Sequence, residues 1–98
     1  MKEQLPFHVL VSYVYLRSEK TAARVFDLLD RPDIRILLDS GAFTNYTHGG
    51  ELVNIDGYMD LLSKYRSRLW NYIAFDVIGD QAQSERNLQT MKRRGFSP

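Results

Sequence analysis

The sequence contains no cysteine among its 98 residues. Disulfide bonds and thiolate-bound zinc are therefore excluded for this chain, and the absence fits a reducing compartment such as the cytoplasm. The chain also has no excess of charge of either sign, because its 13 Lys and Arg residues nearly balance its 12 Asp and Glu residues, which gives a net charge of +1. No overall basic field argues for nucleic-acid binding, although Lys92, Arg93 and Arg94 form a small basic patch.

Long apolar runs are missing as well. The run from Val9 to Leu16 is too short to span a membrane, and neither it nor the charged segment Met1 to Pro6 shows a cleavage-site pattern. We therefore predict a cytoplasmic chain with no targeting signal and no membrane partner. An apolar fraction of 44% and a charged fraction of 26% are those of an ordinary globular protein, here a single small domain spanning residues 1–98.

The pattern of apolar residues predicts three strand–helix units. Short apolar stretches rich in β-branched and aromatic residues are typical of buried strands, and they cover residues 8–16, 34–39 and 72–78. Apolar side chains at helical spacing predict helices, and they cover residues 19–30, 56–69 and 81–94. Strands that alternate with helices in this way indicate an α/β fold with a parallel sheet and right-handed crossovers.

Capping residues flank the predicted helices. The expected N-caps are Ser18, Asp56 and Asp80, with Gln83 placed to complete a capping box after Asp80. Gly95 is the expected residue after the last helix. Between the second strand and the second helix we expect a polar loop from Thr44 to Asn54.

Two aspartates stand at the carboxyl ends of the second and third predicted strands. Because strand side chains alternate, Asp39 and Asp76 should share one face of the sheet, about 4.8 Å apart from strand to strand. Ligands of parallel α/β folds bind at this edge. Either aspartate could instead be structural, since an aspartate at a strand end often caps a turn or the next helix. This alternative is stronger for Asp39, which precedes the turn sequence Ser40-Gly41. Asp76 lies inside an apolar run, where a charge is costly without a partner.

Other polar and aromatic residues add less. Phe43 follows Asp39 closely and should stand at the mouth of the same site, where it can stack on a flat ligand or serve as packing. Gly49-Gly50 lacks the spacing of a phosphate-binding loop. With no cysteine and with His8 far from His48 in the sequence, we expect no metal site.

These residues carry a resemblance to a known family. Leu38-Asp39-Ser40-Gly41-Ala42-Phe43 resembles the Asp-Ser-Gly-Gly-aromatic-Gln motif of tRNA-guanine transglycosylases, and Ala74-Phe75-Asp76 is similar to the strand that carries their second aspartate. From Leu37 to Pro98 the chain also resembles phage and bacterial members related to deazapurine DNA-modification enzymes. The further matching positions are Asp76-Val77-Ile78-Gly79-Asp80, Asn87-Leu88, Met91 and Gly95.

The resemblance implies a TIM barrel and a base-exchange reaction. Guanine in tRNA or DNA would be replaced by a 7-deazaguanine, such as queuine, through a covalent enzyme–sugar intermediate. By position, Asp39 would assist proton transfer and contact the incoming base, with Ser40 and Gly41 beside it. Phe43 would stack on the base, and Asp76 would read its edge. This assignment suits guanine, whose adjacent N–H donors an ionised carboxylate accepts together.

The chain also departs from the family pattern. Thr44 stands where the motif has Gln, and Ile78 where it has Cys. The family's nucleophilic aspartate and its zinc cluster lie on later strands, so we expect no cofactor in this chain and no activity from it alone. A full barrel takes about 250 residues, and three of its eight units are expected here. Two interpretations stay open: part of a complete transglycosylase, or a non-catalytic α/β binding or assembly module. The chain alone is expected to self-associate, to pair with a complementary fragment or to stay partly molten.

Overall fold

The computed structural model describes residues 6–98, so most of the N-terminal segment in which we found no targeting signal, residues 1–5, lies outside the description. The strands are β1 (Phe7–Ser12), β2 (Ile34–Asp39) and β3 (Asn71–Tyr72). The helices are α1 (Glu19–Leu28), α2 (Ala42–Thr47), α3 (Ile55–Tyr65) and α4 (Gln81–Arg93). Short 3-10 turns cover Tyr13–Leu16 and Arg66–Arg68.

The three strands form one parallel sheet in the order β1-β2-β3. In its register Ser12 pairs with Asp39, and Leu38 pairs with Tyr72. Each crossover contains a helix, as a parallel connection requires. The predicted α/β class with a parallel sheet is therefore confirmed.

The core lies between one face of the sheet and the helices. Ile36 and Leu38 on β2 are buried, whereas Arg35 between them is exposed, so the alternation predicted for the second strand holds. The helices contribute the faces that the helical spacing predicted, and their fully or almost fully buried side chains are Ala22, Phe26, Tyr58, Leu62 and Met91. On α4, Asn87 is buried and Leu88 only half-buried, so the inner face includes an amide.

The first strand is shorter than the predicted range 8–16. It ends at Ser12, and Tyr13–Leu16 turns as a 3-10 helix. This turn places Tyr13, Val14 and Leu16 in the core, with the Tyr13 ring 5.5 Å from the Tyr58 ring. A continuous apolar run predicts burial equally well for a strand or a helical turn, which explains the wrong assignment.

The third strand differs most from its prediction, because β3 covers only two of the residues expected over 72–78. The carbonyls of Ile36 and Leu38, two residues apart on β2, accept from the amides of Trp70 and Ile73, three residues apart. The third segment therefore carries one extra residue, a β-bulge, and its alternation is reset. The Tyr72 amide donates instead to the Asn71 side chain at 2.8 Å.

The helix termini match most of the expected caps. Ser18 Oγ accepts from the Thr21 amide, and the Asp80 carboxylate accepts from the Gln83 amide at 2.9 Å. Gly95 has φ +86°, and the Phe96 amide donates to the Met91 carbonyl, which is the Schellman arrangement. The Asp56 prediction was wrong, because Asn54 caps α3 through the Gly57 amide at 2.8 Å.

The other face of the sheet carries exposed apolar side chains. Leu10 is 64% exposed and Trp70 is 53% exposed, and the Trp70 ring lies 4.7 Å from His8 at a steep angle. Parallel sheets are normally covered on both faces. No helix formed by residues 6–98 has the length and apolar character needed to cross a membrane.

Candidate functional site

The candidate site begins with the turn that ends β2. Asp39 is half-buried, Ser40 is buried, and Gly41 adopts a left-handed conformation with φ +80° before α2 starts. One carboxylate oxygen of Asp39, Oδ2, accepts from the Gly41 amide at 3.2 Å. The other, Oδ1, accepts no hydrogen bond from any described residue. Asp39 therefore stabilises the turn with one oxygen and keeps the other available for a ligand.

The segment after the turn is ordered by one buried amide. Asn45 Oδ1 accepts from the amides of Leu52 at 2.8 Å and Val53 at 3.0 Å, which holds the Gly-rich loop against α2. The polar loop predicted from Thr44 to Asn54 was therefore wrong over its first residues, which are helical. On this short helix Phe43 is 73% exposed, so it does not belong to the core.

Asp76 lies in a segment that pairs with no strand of the described residues. Hydrogen bonds with side chains fix its backbone instead. The Tyr58 hydroxyl donates to the Ile73 carbonyl at 2.7 Å, and Asn87 Nδ2 donates to the Phe75 carbonyl at 3.1 Å. The Val77 amide donates to Ser84 Oγ at 2.8 Å. Asp76 itself is exposed, so the expectation of a charge inside a buried strand was wrong. Its carboxylate carries no burial cost that would need a partner.

A groove runs beside Asp76. Its volume is about 230 Å³, and Asp76 lines it together with Ala42, Tyr46, Gln83 and Asn87. Asp39 and Phe43 do not line this groove. The site residues predicted from the sequence therefore divide into two groups, a turn around Asp39 and a groove around Asp76. Ala42 connects the two groups, because it follows the turn directly in the chain and also lines the groove.

Tyr58 links the end of β2 to the segment that carries Asp76. Its hydroxyl is 2.7 Å from the Ile73 carbonyl and 3.3 Å from the Leu38 carbonyl, so it joins the carboxyl ends of β2 and β3. Burial raises the pKa of Tyr58, and the negative charges of Asp39 and, less strongly, Asp76 raise it further. Both carboxylates therefore favour the protonated form of the Tyr58 hydroxyl.

The turn after β2 and the groove also involve the hydroxyls of Ser12 and Ser40 and the ring of Tyr46. The hydroxyls of Ser12 and Ser40 are buried, and neither has a hydrogen-bond partner among the described residues. Tyr46 was missed by the sequence reasoning, although it lines the groove and is 58% exposed. Its spacing of three residues from Phe43 would have shown it, had the segment been recognised as helical.

No group of three or more His, Asp or Glu residues within the described chain is arranged to hold a metal ion. Comparisons with protein-family models, with curated proteins and with solved structures find no match.

Tyr58→Phe should lower the free energy of unfolding by about 1–3 kcal/mol, because the Ile73 carbonyl loses its donor and the Leu38 carbonyl keeps only the Ile73 amide among the described residues. In the wild type the pKa of the Tyr58 hydroxyl is raised above its value of about 10 in the unfolded chain, so the folded state retains this proton more strongly. This stabilisation is complete below that value and is lost as the pH rises. Urea titrations at neutral and alkaline pH measure both effects. Tyr15→Phe, at a tyrosine that is 70% exposed, is the control. Equal losses in the two variants would contradict the role of the hydroxyl.

Proposed function

We propose that this chain carries part of the base pocket of a tRNA-guanine transglycosylase-like protein, which replaces guanine by a 7-deazaguanine in tRNA or DNA. Its strands and helices would then be a (βα)3 portion of a TIM-type barrel. The observation that supports this most is the position of the Tyr58 hydroxyl at the carboxyl end of β2. It contacts the Leu38 carbonyl next to Asp39 and the Ile73 carbonyl on the segment that leads to Asp76.

The proposed roles follow from the geometry of each carboxylate. Asp76 is exposed at the groove and can accept the two adjacent N–H groups of a guanine edge. Asp39 keeps one oxygen for the incoming base while the other holds the Gly41 amide.

Equilibrium dialysis with labelled guanine tests the proposal, and adenine is the matched control. Adenine lacks the paired N–H donors of guanine, so a carboxylate pocket should favour guanine. Selective retention of guanine by the purified chain is the expected result. Equal retention of the two bases, or retention of neither, would contradict the proposal.

Phe43→Ala should weaken guanine binding by about 1–3 kcal/mol, the usual size of base–aromatic stacking. Phe43→Tyr should be nearly neutral, because it keeps the ring. Both variants should unfold at the wild-type urea concentration, since the side chain is 73% exposed. If both variants lost equal affinity, or if Phe43→Ala lost stability, the ring would be a packing residue.

A non-catalytic assembly module is the second candidate, and the exposed apolar sheet face favours it. We expect the purified chain to self-associate through this face, and sedimentation velocity measures the effect. Leu10→Glu should reduce the association, whereas Leu28→Glu, which changes an equally exposed leucine on α1, should leave it unchanged. A monodisperse wild-type monomer would contradict the prediction.

Base exchange by the chain alone is not expected under either candidate. Asp80 is already engaged as the α4 cap, so it is a poor nucleophile once Asp39 and Asp76 hold the base. Incorporation of labelled guanine into tRNA or DNA by the purified chain would overturn this expectation.

A further inference from the structure

The segment that carries Asp76 takes its conformation from α4. Beyond Ile73 no strand pairs with it in the described residues, and two side chains of α4 hold the peptide groups on either side of Asp76. Asn87 Nδ2 donates to the Phe75 carbonyl, and Ser84 Oγ accepts from the Val77 amide. Asn87 is 6% exposed, so this contact is shielded from competing water.

The direction of the Asn87 hydrogen bonds is fixed by an arginine. Arg86 Nη2 donates to Gln83 Oε1 at 2.8 Å, and a guanidinium has no acceptor. Gln83 must therefore present its Nε2, which donates to Asn87 Oδ1 at 2.8 Å. Asn87 in turn has only its Nδ2 left for the Phe75 carbonyl. The chain of donors runs one way, from Arg86 to the backbone beside Asp76.

We propose that Asn87 is a positioning residue for Asp76, with Ser84 as its counterpart on the other side. The bound peptide groups set where the exposed carboxylate points into the groove. The proposal rests on the proposed function for its ligand, a flat heterocycle with paired N–H donors. Its effect on the backbone does not depend on that ligand and is measured separately.

The decisive variant is Asn87→Asp, which keeps the shape of the side chain and exchanges the donor for an acceptor. The introduced carboxylate and the Phe75 carbonyl repel each other at neutral pH. Hydrogen exchange of residues 73–78 should therefore accelerate, and guanine affinity should fall about tenfold, the loss of one charge-assisted hydrogen bond. Gln89→Glu makes the same chemical change on an exposed position of α4 and should alter neither.

Lowering the pH distinguishes positioning from simple structural damage. Burial raises the pKa of a carboxyl, so the introduced group takes up its proton in mildly acidic solution and then donates to the Phe75 carbonyl. Of the titratable groups of this network and groove, Asp76 and Arg86 are exposed, and burial raises the pKa of the Tyr58 hydroxyl, which therefore keeps its proton. Guanine affinity of Asn87→Asp should therefore return towards the wild-type value as the pH falls.

Equilibrium dialysis with labelled guanine and hydrogen exchange by mass spectrometry measure these effects in any oligomeric state. Unchanged exchange and affinity in Asn87→Asp would overturn the proposal, and so would a loss that acid does not reverse. If Asn87→Asp does not fold, Ser84→Ala decides, and unchanged affinity there overturns the proposal. If wild type does not bind guanine, the proposed function fails, while the exchange data still decide whether Asn87 holds the segment.

Discussion

Gly41→Ala should destabilise the chain by about 2–5 kcal/mol. A left-handed conformation costs a residue with a Cβ about 1–2 kcal/mol, and Gly41 has φ +80°. In addition, the new Cβ would overlap the Cγ2 atom of Val14, which is buried, and would lie 3.1 Å from Ser12 Oγ. Such overpacking adds about 1–3 kcal/mol, because neither neighbour can move freely.

Gly49→Ala is the matched control for this substitution. Gly49 has φ +78°, almost the same conformation, but nothing lies within 4 Å of its added Cβ. Its cost should be the backbone cost alone, about 1–2 kcal/mol. Urea unfolding of both variants measures the difference, which isolates the close approach of the β2 turn to Val14. Equal losses would show that the turn has room to relax.

Asp76→Asn should weaken guanine binding by about 1.5–3 kcal/mol, the range for a hydrogen bond to a charged group. The amide keeps one acceptor and turns a donor towards the N–H groups of the base. Because Asp76 is exposed and makes no hydrogen bond with the described residues, the free energy of unfolding should not change. Binding is measured by dialysis and stability by thermal unfolding.

Asp60→Asn removes an equally exposed carboxylate on α3, outside the groove, and should leave both quantities unchanged. Unchanged binding in Asp76→Asn together with lost thermal stability would contradict the assignment of Asp76 to a ligand and would make it a structural residue.

The parts of the fold that follow from periodicity were predictable. The helical spacing of Phe26 on α1 and of Tyr58 and Leu62 on α3 identified side chains that are fully buried. The strand over 34–39 was predicted with its observed bounds, because alternation and the Ser40-Gly41 turn agree there. Local sequence and tertiary packing favour the same structure at these positions.

The bulge at β3 could not be read from alternation. The sequence from Tyr72 to Ile78 is apolar enough for a strand, yet one extra residue before Ile73 changes which side chains face the helices. Beyond Ile73 the segment makes no ladder with β2, so alternation no longer holds: Ile73 is exposed and Phe75 is buried, although a strand over 72–78 would place both on one face. The hydrogen bond from the Tyr72 amide to the Asn71 side chain depends on local geometry that the spacing of apolar residues does not reveal.

The candidate site shows the same division. Asp39 ends β2 as expected, but Asp76 lies four residues beyond the end of β3, so its expected place at the end of a strand was wrong. The groove around Asp76 was not predictable, because it depends on α2 being a helix and on long-range bonds such as that from Asn87 to Phe75.

The central claim is that Asp39 and Asp76 serve one ligand, and a double-mutant cycle on guanine affinity tests it directly. Asp39→Asn, Asp76→Asn and the double variant are compared with wild type by equilibrium dialysis. Groups that bind one ligand interact, so the double variant should lose less than the sum of the single losses, with a coupling of about 0.5–3 kcal/mol. Additive losses, or a single variant that binds guanine as wild type does, would contradict the claim.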